Sequence, residues 1–104
     1  MGNSGLSIKR ETMPEGVRLI LSGHVDTTNA DVLQIELDKT IRNGSAYIVM
    51  NMSDVDYLCS MGIRVILKAY KDADRMKGRL SIEEPSETVK KVLVLTALDK
   101  ILIK

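Results

Sequence analysis

The sequence contains no phenylalanine and no tryptophan, and three tyrosines are its only large aromatic residues. Its 104 residues are enough for one domain that buries a hydrophobic core, and apolar residues make up an ordinary 44% of the chain. We therefore expect a single globular domain whose core is built almost entirely from aliphatic side chains.

Cysteine occurs once, as Cys59, and no apolar run approaches the ~20 residues that a membrane-spanning helix needs. A single cysteine cannot form an internal disulfide, which suits the reducing cytoplasm. The first five residues also lack the apolar stretch of a signal peptide. We expect a flexible segment at residues 1–5, one domain over residues 6–104, a cytoplasmic location and no membrane partner.

The chain also lacks an excess of charge of either sign, because 15 basic residues face 14 acidic ones for a formal net charge of +1. A protein that binds nucleic acid or an acidic membrane through bulk electrostatics carries a clear basic excess. The composition therefore gives no reason to expect nucleic acid or an acidic membrane as a partner, and it leaves a specific protein partner open.

Hydrophobic periodicity predicts the order strand, strand, helix, strand, helix, strand, helix, strand. The strands are expected at residues 6–11, 17–21, 46–52, 79–83 and 101–103, and the helices follow residues 28, 60 and 85. After the initial hairpin, strands and helices alternate, which predicts right-handed crossovers and a mixed, mostly parallel sheet. The expected fold class is α/β, with about five strands and with the helices mainly on one face.

Two of the predicted helices begin with capping signals. Thr28 and Asp31 match a capping box, and Asp26 is a second candidate cap for the first helix. Ser60 stands at the expected N-cap of the second helix, and Gly78 is its expected stop.

The most informative segment is residues 53–63, which combines a strand end, a short acidic connection and a Ser-x-Gly helix start. A phosphate on Ser60 would face the backbone N–H groups and the positive dipole at the start of the helix, and both would stabilise it. Gly62 adds no side chain that could crowd the phosphate. Taken alone, these residues are explained better by a simple capping role for Ser60, because serine caps are common and phosphorylation sites are few.

Several short motifs, in their order and spacing, resemble the STAS domain, the fold of bacterial anti-sigma factor antagonists. They are Gly-His-Val-Asp at 23–26, Cys-Ser-Met-Gly-Ile at 59–63, Ala-Tyr-Lys at 69–71, Pro-Ser at 85–86 and Leu-Thr-Ala-Leu-Asp-Lys at 95–100. The resemblance covers the chain from about Leu6 to Ile103. It implies a single STAS-like domain over residues 6–104.

The resemblance implies a bacterial partner-switching protein that has no catalysis of its own and regulates transcription indirectly. In that family the unphosphorylated antagonist binds an anti-sigma factor that is also a serine kinase of the histidine-kinase-like ATPase fold. The kinase phosphorylates the signature serine, here Ser60, the antagonist is released, and a metal-dependent serine phosphatase resets it. The expected partner-binding residues are Asp26, Thr27, Met61, Gly62 and Arg64.

One departure from the family pattern keeps a second hypothesis open. The family has an acid before the signature serine, and this chain has Cys59 there. The missing charge puts the efficiency of phosphorylation in question. The alternative function is a STAS module that is never phosphorylated and acts as a scaffold or a transporter accessory.

A hydrolase built on Ser60, His24 and Asp26 is a third hypothesis. It is disfavoured because Leu58 occupies the first glycine position of the Gly-x-Ser-x-Gly nucleophile motif. His24 and Cys59 also lack the spacing of metal ligands. We expect no metal, no cofactor and no catalytic residue.

Overall fold

The computed structural model describes residues 5–103, which form four strands and four helices. Their order is β1 (Leu6–Met13), β2 (Gly16–Val25), α1 (Ala30–Arg42), β3 (Tyr47–Leu58), α2 (Ser60–Arg75), β4 (Arg79–Glu83), α3 (Glu87–Leu95) and α4 (Asp99–Leu102). The predicted order is confirmed as far as α3. The flexible segment predicted at residues 1–5 lies outside the described residues except for Gly5, whose carbonyl accepts a hydrogen bond from the His24 N–H.

The four strands form one sheet in the order β1-β2-β3-β4. β1 and β2 pair antiparallel as a hairpin, and a two-residue loop separates Met13 from Gly16. β2 pairs parallel with β3, and β3 pairs parallel with β4. Such parallel neighbours need a crossover connection, which α1 provides for the first pair and α2 for the second. The sheet is therefore mixed and mostly parallel, as predicted.

One face of the sheet is fully covered, and the other is largely open. Leu19, Leu21 and Met50 are completely buried on the covered face, whereas Ile20 and Asn51 on the other face are only partly buried. Because side chains alternate between the two faces along a strand, this pattern indicates helices mainly on one face. The core is aliphatic, as the composition predicts.

The fifth strand predicted at residues 101–103 is wrong. The segment forms α4 instead, in which the N–H groups of Ile101 and Leu102 both donate to the carbonyl of Leu98. Ile103 alone makes a parallel bridge, with Ile82 of β4. A run of three apolar residues is too short to distinguish a strand from one turn of helix. In the structure Leu102 is buried in the core and Ile101 is exposed, which either element would allow.

The predicted capping box before α1 is also wrong. The N-cap of α1 is Asn29, and its side chain makes no capping hydrogen bond. Thr28 donates its backbone N–H and its hydroxyl to the Asp26 carboxylate, so it forms no box with Asp31. In a capping box Asp31 would accept the backbone N–H of Thr28, and the nearer Asp26 carboxylate accepts that N–H instead.

The three longer helices all end in the same kind of turn. At the end of α2, the Gly78 N–H donates to the carbonyl of Ala73 at 2.8 Å, and the Lys77 N–H donates to the carbonyl of Asp74 at 2.9 Å. These are the two bonds of a Schellman motif. The positive φ that the motif requires is adopted by Gly44 after α1, by Lys77 after α2 and by Ala97 after α3. In α2 the left-handed residue that ends the helix is therefore Lys77, and Gly78, the predicted stop, is the residue after it.

β3 is longer than predicted, because it continues past Met52 to Leu58. Its pairing with β2 shifts register twice, and each shift inserts an extra residue into β3. The second shift immediately precedes the pair His24–Tyr57. The acidic segment that the sequence indicates as a connection is thus part of an irregular strand.

Candidate functional site

A backbone hydrogen bond joins the carboxyl end of β2 to the start of α2, at the edge of the sheet where the parallel strands end. The last pair in the β2–β3 ladder is Val25–Leu58, and the backbone N–H of Cys59 donates to the carbonyl of Val25 at 3.0 Å. The chain continues from Val25 into Asp26 and from Leu58, through Cys59, into Ser60. The fold therefore brings the predicted site segments 26–27 and 60–64 to the same edge.

Ser60 is the first residue of α2 instead of its predicted N-cap, which is Cys59, and the Ser60 side chain is exposed. Its hydroxyl makes no hydrogen bond with residues 5–103. The Ile63 N–H donates to the carbonyl of Cys59 at 3.1 Å, whereas the N–H groups of Ser60, Met61 and Gly62 have no acceptor in this part of the chain. A free hydroxyl therefore stands beside the positive end of the helix, where an added phosphate would be stabilised.

Cys59 holds the N-cap position of α2 with an extended backbone, at φ −86° and ψ 171°. Its side chain accepts no hydrogen bond from the helix, and the residue is partly exposed. An Asp, Ser or Thr at this position would accept one of the first-turn N–H groups. The cysteine therefore leaves the positive end of α2 without a side-chain partner.

Asp26 is held by a local hydrogen-bond network. Its Oδ1 accepts hydrogen bonds from the backbone N–H of Thr28 at 2.9 Å and from the Thr28 hydroxyl at 2.5 Å. Its Oδ2 lies 3.3 Å from Nε2 of His24. The hydrogen bond from the Thr28 hydroxyl contributes most to lowering the pKa of Asp26, and partial desolvation opposes it. Asp26 therefore presents a fixed carboxylate, and it orders the turn before α1 instead of capping α1.

Asn29, which the sequence analysis missed, holds this loop in place. It is completely buried, its Oδ1 accepts the Asp26 N–H at 2.9 Å, and its Nδ2 donates to the carbonyl of His24 at 3.0 Å. The side chain thus ties the end of β2 to the first turn of α1. The only signal in the sequence is a cluster of short polar residues before the helix, which does not single out Asn29.

The other predicted partner residues differ in exposure. Thr27 and Arg64 are exposed, and Met61 is 43% exposed. Arg64 makes no ion pair or hydrogen bond with the described chain. Gly62 is buried, so it shapes this surface through packing instead of direct contact. The accessible part of the predicted site therefore comprises Asp26, Thr27, Ser60, Met61 and Arg64.

The geometry does not assemble the nucleophile of a hydrolase. Nε2 of His24 faces Asp26, and no hydrogen bond joins His24 to Ser60 within residues 5–103. In the same residues, no three His, Cys, Asp or Glu side chains are grouped as metal ligands. A groove of about 530 Å³ lies between the C-terminal halves of α1 and α2, and none of the predicted site residues lines it. No helix in the described part of the chain is long and apolar enough to cross a membrane.

Together these features define an α/β domain that presents an exposed serine at a helix start, close to an ordered carboxylate. Residues 8–104 match the STAS domain family, and the chain belongs to that family. The family and fold class predicted from the sequence motifs are thereby confirmed.

Two relatives are similar in sequence. BtrV of Bordetella bronchiseptica, which is assigned to the anti-sigma factor antagonists, is 30% identical over 76 residues. That match covers 73% of this chain and 66% of BtrV, just under two thirds of the relative's length. The anti-sigma F factor antagonist of Paenibacillus polymyxa is 28% identical over 89 residues, which cover 84% of this chain and 76% of that protein.

Solved structures share the fold. The unphosphorylated form of the anti-sigma factor antagonist SpoIIAA superposes with a TM-score of 0.81 at 21% identity, over 93% of this chain and 86% of that one. The phosphorylated form of Bacillus SpoIIAA superposes with a TM-score of 0.74 at 21% identity, over 93% of this chain and 89% of that one. At this level of identity the likeness shows the fold.

Proposed function

We propose that this protein is an anti-sigma factor antagonist that works by partner switching. In its unphosphorylated form it binds an anti-sigma factor that is also a serine kinase of the histidine-kinase-like ATPase fold, and it thereby frees a sigma factor. Phosphorylation of Ser60 releases the antagonist, and a metal-dependent serine phosphatase restores it. In this cycle the protein performs no catalysis, acts in the cytoplasm and regulates transcription indirectly.

The observation that carries the proposal is the state of Ser60. Its hydroxyl is exposed and makes no hydrogen bond within the described chain, so a kinase reaches it without breaking one. The free N–H groups of the first turn of α2 favour the phosphorylated product. The domain is therefore suited to carry the phosphate without unfolding.

The comparisons support the same role. SpoIIAA, which shares this fold, is known in unphosphorylated and phosphorylated forms. In this chain, Ser60 stands at the family's signature position, with Met61, Thr27 and Arg64 exposed around it. We assign these three side chains, with Asp26, to the surface that contacts the anti-sigma factor.

The added phosphate acts as the switch through its charge. It brings a charge of roughly −1.5 to −2 at pH 7. If it meets a negative group of the partner, such as a carboxylate, at about 5 Å and an effective dielectric near 20, repulsion is on the order of 3 kcal/mol per unit charge. Such a repulsion weakens binding by about a hundredfold or more.

Calorimetric titration of the cognate anti-sigma factor with both forms of the protein tests the proposal. The unphosphorylated form should bind at least about a hundredfold more tightly. Circular dichroism should show the same fold for both forms. Equal dissociation constants, or no binding by the unphosphorylated form, would contradict the proposal.

Two matched variants locate the binding surface. Met61→Ala removes an exposed apolar side chain in the first turn of α2 and should weaken binding. Val94→Ala removes a similarly exposed apolar side chain from a different helix, α3, and should leave binding unchanged. If both variants bind equally to the wild type, the surface lies elsewhere.

One observation favours the alternative of a STAS scaffold that is never phosphorylated. Cys59 stands where the family has an acid, and its side chain neither caps α2 nor adds charge beside Ser60. Such a scaffold would bind its partner without accepting phosphate from any kinase of the same organism. Phosphate transfer to Ser60 separates the two functions.

A further inference from the structure

Tyr57 is an exposed aromatic side chain at the end of β3, close in sequence to Ser60. Its side chain is 52% exposed. It pairs with His24 of β2, and the following pair, Val25–Leu58, is buried. Because neighbouring residues of a strand point to opposite faces, Tyr57 and His24 project from the open face of the sheet. The register shift just before this pair is what turns Tyr57 outward.

Tyr57 adjoins the proposed partner surface on the side where Asp26 lies. Its neighbour across the ladder, His24, has Nε2 3.3 Å from Oδ2 of Asp26. The His24 ring packs closely on Gly5, where a β-carbon would lie 2.4 Å from the ring. His24 is therefore the ladder neighbour of Tyr57 and the side-chain neighbour of the Asp26 carboxylate, which places Tyr57 at the border of the proposed partner surface.

Two unpaired carboxylates lie within three residues of Tyr57 in the chain. Asp54 and Asp56 are exposed, and neither makes an ion pair or a hydrogen bond with any part of the chain that the structure describes. Asp54 pairs with Ser22, which puts its side chain on the same open face as Tyr57. An exposed ring flanked by free carboxylates attracts a cation, through the face of the ring and through charge-assisted hydrogen bonds.

We propose that Tyr57, together with Asp54 and Asp56, binds an arginine or lysine side chain of the anti-sigma factor. The inference rests on the proposed function and extends its surface from α2 onto the open face of the sheet. A second copy of this chain fits poorly, because a symmetric contact would bring the same carboxylates together. The two carboxylates also repel the negatively charged phosphates of a nucleic acid.

Calorimetric titration of the anti-sigma factor with variants of the unphosphorylated protein tests the inference. Tyr57→Ala should weaken binding about tenfold or more, as expected for an aromatic anchor. Tyr57→Phe keeps the ring and should bind within about twofold of the wild type, whereas Tyr57→Leu should behave like Tyr57→Ala. Tyr47→Ala is the matched control, because Tyr47 lies at the other end of β3 and is 49% exposed.

The dependence of binding on salt concentration tests the role of the two carboxylates. Wild-type binding should weaken as salt is raised from low to high concentration, and Asp54→Asn with Asp56→Asn should weaken binding and flatten that dependence. Unchanged salt dependence in the double variant would contradict the assignment of a cation. Circular dichroism of each variant controls for folding.

The outcomes separate this inference from the proposed function. If the wild type binds and Met61→Ala weakens binding, but Tyr57→Ala binds like the wild type, the inference is overturned and the proposed function stands. If Tyr57→Leu binds as tightly as Tyr57→Phe, the ring does not recognise a cation and the inference is also overturned. If the wild type does not bind the anti-sigma factor at all, the proposed function itself fails.

Discussion

Gly62 lies so close to Val25 that a β-carbon on the glycine would be 2.7 Å from Cγ1 of Val25 and 2.8 Å from Cδ1 of Leu58. The first turn of α2 is therefore seated directly on the ends of β2 and β3. This close approach fixes the position of Ser60 relative to Asp26. The glycine of the Ser-x-Gly motif thus serves packing, in addition to leaving room for a phosphate.

Gly62→Ala should therefore destabilise the domain. Overpacking a buried site typically costs about 1–3 kcal/mol, which exceeds the ~1 kcal/mol that alanine gains over glycine in a helix. Urea unfolding measures the difference. Met61→Ala, in the same turn but exposed, is the control and should change stability little. A Gly62→Ala protein as stable as the wild type would show that the contact relaxes without cost.

Ala97→Gly should stabilise the domain. Ala97 adopts φ 61° in the turn after α3, a left-handed conformation that costs a residue with a β-carbon roughly 1–2 kcal/mol. Glycine removes this strain but loses about 0.5–1 kcal/mol of chain entropy, which leaves a net gain of up to about 1.5 kcal/mol. Thermal unfolding should show a higher Tm.

A reverse substitution serves as the control for this prediction. Gly44 adopts φ 94° in the equivalent turn after α1, so Gly44→Ala should lower the Tm. Space is not limiting there, because nothing lies within 4 Å of a β-carbon on Gly44. If both substitutions move the Tm in the same direction, left-handed strain does not explain them.

Thr28→Val should raise the pKa of Asp26. The hydrogen bond from the Thr28 hydroxyl is the largest cause of its lowered pKa, and valine removes that donor while keeping the shape of the side chain. A group with a lowered pKa in the folded state stabilises the fold above its unfolded pKa of about 3.9. That stabilisation is lost as the pH falls through the folded pKa. The stability difference between wild type and Thr28→Val should therefore shrink below about pH 4.

A titration of the Asp26 carboxyl carbon by NMR measures this shift directly. Thr27→Val is the matched control, because Thr27 makes no hydrogen bond to Asp26. It should leave the Asp26 midpoint where it is in the wild type. A midpoint that moves equally in both variants would mean that the threonine hydroxyl at position 28 is not the cause.

Cys59→Asp should raise the rate at which the kinase phosphorylates Ser60. A carboxylate there can orient the serine hydroxyl or bind the kinase's nucleotide-bound metal ion, which a neutral thiol cannot do. The same charge repels the phosphate, so the phosphorylated protein should have a slightly lower Tm with Cys59→Asp than with Cys59→Asn, which can cap α2 equally well. Cys59→Asn keeps the shape without the charge and should not raise the rate. An unchanged or slower rate with Cys59→Asp would disprove this electrostatic account.

The sequence predicts the helices and the buried strands well, because their apolar residues repeat at clear periods. In α1, for example, the apolar residues that recur at helical spacing are all buried: Ala30, Leu33, Leu37 and Ile41. The predicted topology of the sheet also places Asp26 and Ser60 at one edge, since consecutive parallel strands present their carboxyl ends together. These features follow from local pattern and from topology.

Other features depend on tertiary contacts that leave no periodic signal. The role of Asn29 follows from burial between β2 and α1, and a run of short polar residues does not reveal which of them is buried. Tyr57 points outward because of a register shift between strands, which alternation in one strand cannot predict. The left-handed backbone conformations of Lys77 and Ala97 also have no signal in the sequence, because the usual residue in such a helix-ending turn is glycine.

The most direct test of the central claim is phosphate transfer to Ser60. The protein is incubated with its cognate anti-sigma factor kinase and ATP, and the product is analysed by intact mass spectrometry and peptide mapping. We expect the wild type to gain one phosphate, located on Ser60, and Ser60→Ala to gain none while keeping the wild-type fold by circular dichroism. Labelling of Ser60→Ala equal to that of the wild type would contradict the account, and so would a wild type that binds the kinase but accepts no phosphate.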